Sequence, residues 1–149
     1  MPSSLRRRCV GALVPFLSAI SLAGIHAAQA GVEVFTTAGQ PVTGAPADAA
    51  IVELDAPARL DAEIAADLPD DPAEAERIMR ARMDAPEWAE IEQRYGEAYT
   101  GLARAWILGI TTVPAVVVDG QYVVYGEPDV ATALSEIDAQ IDQAREEGR

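Results

Sequence analysis

Along the chain, apolar positions change period several times, and each change marks an element. Val32, Val34 and Thr36 alternate with Glu33, Phe35 and Thr37, the period of two that predicts a first β-strand over 32–37. Residues 38–49, AGQPVTGAPADA, are rich in Gly, Pro and Ala and read as a loop. A second short strand is expected over 50–54, stopped by Asp55. The period then lengthens to that of a helix. Leu60, Ile64 and Leu68 lie four apart behind Asp55-Ala56-Pro57, with Pro69 as the stop. Asp71-Pro72-Ala73-Glu74 opens a second helix, with Asp71 as N-cap, Pro72 in the first turn and Glu74 completing a capping box. Pro86 opens a third, in which Trp88, Ile91, Tyr95, Tyr99, Leu102 and Trp106 recur on one face. That stripe is expected to be core, although an aromatic stripe can also take a ligand. Gly96 and Gly101 weaken the helix by about 1 kcal/mol each relative to alanine, which predicts close packing at both.

After Gly109 the period returns to two. PAVVVDGQYVVYG, 114–126, is two β runs joined by Asp119-Gly120, a strong hairpin signal because both central residues of the turn need positive φ. A last helix follows, with Pro128 in its first turn, Val130, Leu134, Ile137 and Ile141 inward, and a polar tail. The helical stretch supplies the crossover from the second strand to the hairpin. The expected fold is α/β: a small sheet of about four strands with covering helices.

The first thirty residues have another pattern. MPSSLRRR is basic, residues 9–25 are apolar, and Ala28-Gln29-Ala30 matches a signal-peptidase site. A secretory signal peptide cleaved after Ala30 is expected, leaving 31–149 as one domain; the alternative is a retained membrane anchor. Cys9 follows the arginines directly and stands at the head of the apolar run rather than at its end, so it is not placed for lipid attachment.

Composition then removes most chemistry. The single Cys and single His, Cys9 and His26, both lie in the expected signal. Residues 31–149 therefore carry no thiol redox chemistry, no disulfide, no His base and no Cys/His metal site. The chain has no lysine, and 24 acids against the eight arginines of 31–149 give that part a net charge of −16. Such a surface repels nucleic acid and anionic lipid. The acids of 67–76 lack the spacing of a calcium loop, and capping with a solvated face accounts for them. Among so many acids nothing singles out a catalytic carboxylate pair. No cofactor or metal is expected.

Two stretches together resemble the thioredoxin/glutaredoxin superfamily. TTVPAVVVDG, 111–120, looks like its loop carrying a cis-proline before a strand, with Pro114 in the proline place. VEVFTTAGQPVT, 32–43, looks like the first strand and active-site turn, with Gln40-Pro41-Val42-Thr43 where Cys-Pro-Tyr-Cys would stand. The resemblance implies a thioredoxin-like mixed sheet in which both sulfurs are gone. It also implies a cis bond at Val113-Pro114; the residues alone suggest only a trans proline opening a strand. Only GAPADAA separates Thr43 from the second strand, so the helix that follows this turn in the superfamily is expected to be reduced to a turn or lost. In redox relatives the residue before the cis-proline, here Val113, offers its backbone to an extended peptide, a mode of recognition that needs no sulfur. Gln40, Pro41, Thr43, Thr112, Val113 and Pro114 thus define an expected binding surface; the alternative is that this loop serves the fold alone.

Residues 32–140 are also similar to a family of exported proteins of integrating conjugative elements, through VEVFTT, the Leu-Pro and Asp-Pro boundaries, RAWILGITTVPAVVVDG and YVVYG. That similarity implies a bacterial envelope setting, the periplasm, and DNA transfer by a type IV secretion machine. The expected function is non-catalytic: assistance to that apparatus by binding another envelope protein, with no nucleic acid and no membrane contact after signal cleavage. The alternatives are an enzyme using carboxylates or hydroxyls beside Gln40 and Pro114, or a redox accessory that borrows its partner's thiol.

Overall fold

The alternation of VEVFT sends Val32 and Val34 to one side of a strand and Glu33 and Phe35 to the other, and both sides are covered. The computed structural model describes residues 31–148; the expected signal segment lies outside the described residues. Element order is β1 Val32–Thr36, β2 Ala50–Glu53, α1 Ala56–Ala65, α2 Pro72–Met83, α3 Trp88–Ile107, β3 Ala115–Val118, β4 Tyr122–Tyr125 and α4 Val130–Glu147. The strands form one sheet in the order β2-β1-β3-β4. β1 pairs parallel with β2 and antiparallel with β3, and β3–β4 is the expected hairpin, with Asp119 at φ 58° and Gly120 at φ 65°. A mixed four-stranded sheet with four helices is consistent with a small thioredoxin-like α/β fold. No helix stands between β1 and β2, as the short spacing predicted.

One face of the sheet packs on α4. Val34 and Val116 meet Val130 and Ala133, all fully buried, and Val42 and Ala45 of the loop complete this cluster. The loop thus fills part of the space that a helix after the first turn would cover. The other face packs on α3: Phe35, Ala115 and Val117 meet Ala105, flanked by Val52, Leu54, Leu108, Ile110 and Val113.

On α3 the expected core stripe is corrected. The side laid on the sheet is the small one, with Ala105 buried and Ala98 and Gly101 half-buried. A Cβ on Gly101 would sit 2.6 Å from Val52 Cγ1, so the helix approaches β2 as closely as a bare Cα allows. Gly96 meets nothing within 4 Å, so only one of the two glycines packs closely. The large residues stand to one side: Tyr99 is 53% exposed and Trp106 84%. At the other end of the stripe, Tyr95 donates to Asp61 at 2.6 Å and Arg94 grips Glu63 at 2.9 and 2.7 Å, tying α1 to α3.

Several boundaries differ by local causes. α1 ends at Ala65 rather than running to Leu68, and Pro86 lies in the turn before α3. Pro128 precedes α4 instead of opening it, because Asp129 is the cap and accepts from the N–H groups of Ala131 and Thr132. At α2 the Asp71 carboxylate accepts from Glu74 N–H at 2.9 Å, as its sequence predicts, yet no residue of α2 is buried.

Candidate functional site

The expected site residues come from three segments that converge on one end of the sheet. Phe35 pairs with Ala115, and Ala115 with Tyr125, so the chain leaving β1, the chain entering β3 and the chain leaving β4 share that end. The first is the turn 37–40, closed by Gln40 N–H donating to Thr37 C=O at 2.9 Å. Thr36, the one buried polar side chain among the described residues, clamps it by donating its hydroxyl to Gln40 C=O. From outside, the Asp55 carboxylate accepts from Ala38 N–H at 3.1 and 3.3 Å. Asp55 occupies the N-cap position of α1 yet makes no side-chain cap, since its oxygens are committed to this turn.

The second segment is set by the end of α3. Gly109 takes φ 69°, Gly109 N–H donates to Trp106 C=O at 3.1 Å, and Ile110 N–H donates to Ala105 C=O at 3.0 Å. This is a Schellman stop, with Ile110 folded back into the Ala105 cluster. It launches Thr111 and Thr112 into solvent and returns Val113, half-buried, against the cluster of Phe35, Ala105, Ala115 and Val117. The Val113-Pro114 bond is cis, as the resemblance implied. Pro114 C=O accepts from Gly126 N–H at 2.8 Å, which fastens the loop to the end of β4. Among the described residues neither Thr112 nor Val113 makes a backbone hydrogen bond, so their N–H and C=O groups stay open.

Thr43 serves differently. Its N–H donates to Pro128 C=O at 2.9 Å and its C=O accepts from Val130 N–H at 2.8 Å, forming a one-residue parallel bridge with Asp129. Gly44 follows at φ 67°, where a Cβ would meet Asp129 Oδ1 at 2.7 Å. Gln40 and Pro41 are thus exposed at the sheet end beside the proline loop, while the backbone of Thr43 is spent locking the loop to α4.

The site offers no ionisable side chain of its own: Gln40, Pro41, Thr43, Thr112, Val113 and Pro114 are all uncharged. Asp55, the nearby carboxylate, is occupied by Ala38. No group of three or more metal-ligating side chains occurs among the described residues, and no helix there is long and apolar enough to cross a membrane. What the arrangement leaves without a bonded partner among the described residues is the backbone of Thr112 and Val113. The sequence reading missed Thr36, Asp55 and Asp129 as its supports. Asp129 was detectable from its place between Pro128 and an apolar helix start, whereas the partners of Thr36 and Asp55 arise only once the turn is folded.

The family whose model matches this chain is described as a protein of unknown function, DUF1525, and the match covers residues 29–143. The chain belongs to that family. No curated protein and no solved structure matches it.

Proposed function

We propose that this DUF1525 protein is a non-catalytic, thioredoxin-like periplasmic component of an integrating conjugative element. Its role is to assist a type IV secretion apparatus by binding another envelope protein. The observation that carries the reading is the sheet end: an open strip of backbone at Thr112 and Val113, beside Gln40 and Pro41, with no thiol and no ionisable side chain among them. That combination suits recognition of an extended segment by strand addition. The basic, apolar and small-residue order of residues 1–30 supports export, and the conjugative setting rests on the resemblance across 32–140.

Thr112→Arg is the test. Thr112 is exposed, so the change should leave stability within about ±0.5 kcal/mol while crowding the groove. Conjugation frequency should fall, and pull-downs should lose an envelope partner that the parent recovers. Transfer and partner recovery equal to the parent would make the loop a scaffold only.

A further inference from the structure

Helix α3 carries an unpartnered face beside the one it lays on the sheet. Between Gly96 and Ile107 this face presents Gly96, Tyr99, Leu102, Ala103, Trp106 and Ile107, without one charged side chain. Trp106 is 84% and Ile107 70% exposed. An open apolar groove of about 520 Å³, lined by Leu54, Leu102, Trp106 and Ile110 among others, runs alongside. In a chain whose residues 31–149 have a net charge of −16, such a neutral apolar strip asks for a cover.

We infer that this face pairs with the same face of a second copy, α3 against α3, antiparallel about a two-fold axis. Small and large residues sit in adjacent heptad rows: Gly96 and Ala103 in one, and Tyr99 and Trp106 in the next, a row that Glu92 ends. An antiparallel pairing centred at the level of Gly101 sets Trp106 of each copy opposite Gly96 of the other. The same register sets Tyr99 opposite Ala103, so each large ring meets a small residue, in both directions. A two-fold contact has to be self-complementary in this way. Two acidic copies can meet only where the surface is neutral, as it is here. A basic partner would instead be met by an acidic rim.

The inference stands apart from the sheet-end reading, and Thr112→Arg should leave it untouched. Sedimentation velocity on the protein purified from exporting cells tests it, from about 1 µM to about 500 µM, the range in which weak dimers form. Measurements at about 0.05 M and about 0.5 M salt exploit screening. A dimer should form, and more tightly at high salt, because screening relieves repulsion between like-charged copies. Trp106→Arg should weaken it at least about tenfold, although the substitution reduces net charge and so cannot act through repulsion. Gly96→Leu is the second variant. Nothing lies within 4 Å of a Cβ there, so it should raise the melting temperature of the monomer while removing the seat for Trp106. A chain monomeric at every concentration and salt would overturn the proposal. So would a dimer that Gly96→Leu leaves intact, or a monomer that uses this face to hold a different, basic protein.

Discussion

The two faces of the sheet are covered by opposite means. Against α4, medium-sized side chains interlock: Val34, Val116, Val130 and Ala133 form one fully buried cluster, Ile137 further along α4 is 1% exposed, and the loop is stitched to α4 by backbone bonds at Thr43. Against α3, the sheet supplies the bulk through Phe35 and the helix supplies almost none, so that Gly101 touches Val52 and the helix keeps its large residues outside. One face is finished internally. The other spends small residues on close approach and leaves Tyr99, Leu102 and Trp106 for contacts beyond the sheet. The lesson is that a helix with two apolar stripes can bury the smaller one when the backbone approach is tight.

The comparison breaks most severely at its largest buried members. Phe35→Ala empties the α3 face and should cost about 3–5 kcal/mol; Ile137→Ala on the α4 side should cost about 2–5 kcal/mol. Denaturant titrations should show both with lowered midpoints, Phe35→Ala the lower. Gly101→Ala sharpens the contrast. On an exposed helix that change gains about 1 kcal/mol in propensity. Here the new methyl meets a branched Val52 side chain at 2.6 Å, so overpacking of about 1–3 kcal/mol should win and the midpoint should fall. A Gly101→Ala protein more stable than its parent would mean that α3 floats above β2 rather than resting on it.

On the α4 side the corresponding weak point is the loop lock. Asp129→Ala removes the helix cap and should cost about 1 kcal/mol. Gly44→Ala forces a side chain into φ 67° against that same carboxylate, and should cost at least as much as the cap. Because both changes act on one carboxylate, their effects should add to less than their sum. Strict additivity would show that Gly44 and Asp129 do not share a contact.

What could be read from the sequence follows from how local each cause is. The hairpin, the Asp71 cap and the stop at Gly109 are set by neighbouring residues, and each was legible. The burial of α3 was not. The stripe of Trp88, Tyr95, Tyr99 and Trp106 and the stripe of Ala98, Gly101 and Ala105 have the same helical period. Size alone favoured the first, and the choice is made by distance from the sheet, which periodicity does not encode. Gln40, four residues past β1, and Pro114, immediately before β3, were grouped through the resemblance, and both lie towards one end of the sheet. Thr43 was read as part of the same surface, yet its backbone belongs to the lock on α4, a pairing across more than eighty residues. Asp55 was read as the stop of the second strand and the opening of a helix, and its carboxylate holds Ala38 N–H, since a carboxylate serves whichever N–H the fold delivers.

The smallest effect lies at the contact that ties α1 to the outer side of α3, and pH can take it apart from both ends. Tyr95 donates to the Asp61 carboxylate, and that hydrogen bond, helped by burial and by the negative charge of Asp61, pushes its phenol up to about 12 from a usual 10.0. A pKa raised on folding means that the protonated phenol is the stabilised form. Its contribution is therefore complete below pH 10 and fades as pH rises towards 12. For Glu63 the sign reverses: the Arg94 guanidinium holds its carboxyl below the usual 4.5, so that contribution is present above 4.5 and is lost as pH falls through the lowered value. Tyr95→Phe should thus lower stability near neutrality by about 0.5 kcal/mol, the low end for a hydrogen bond open to water, and the deficit should close in alkali. Glu63→Gln should show a deficit that closes in acid instead. Urea midpoints of the two variants against the parent, across pH, would separate these contacts. If the Tyr95→Phe deficit persisted unchanged to pH 12, the phenol would not be held by Asp61, and α1 would be fastened to α3 through Arg94 and Glu63 alone.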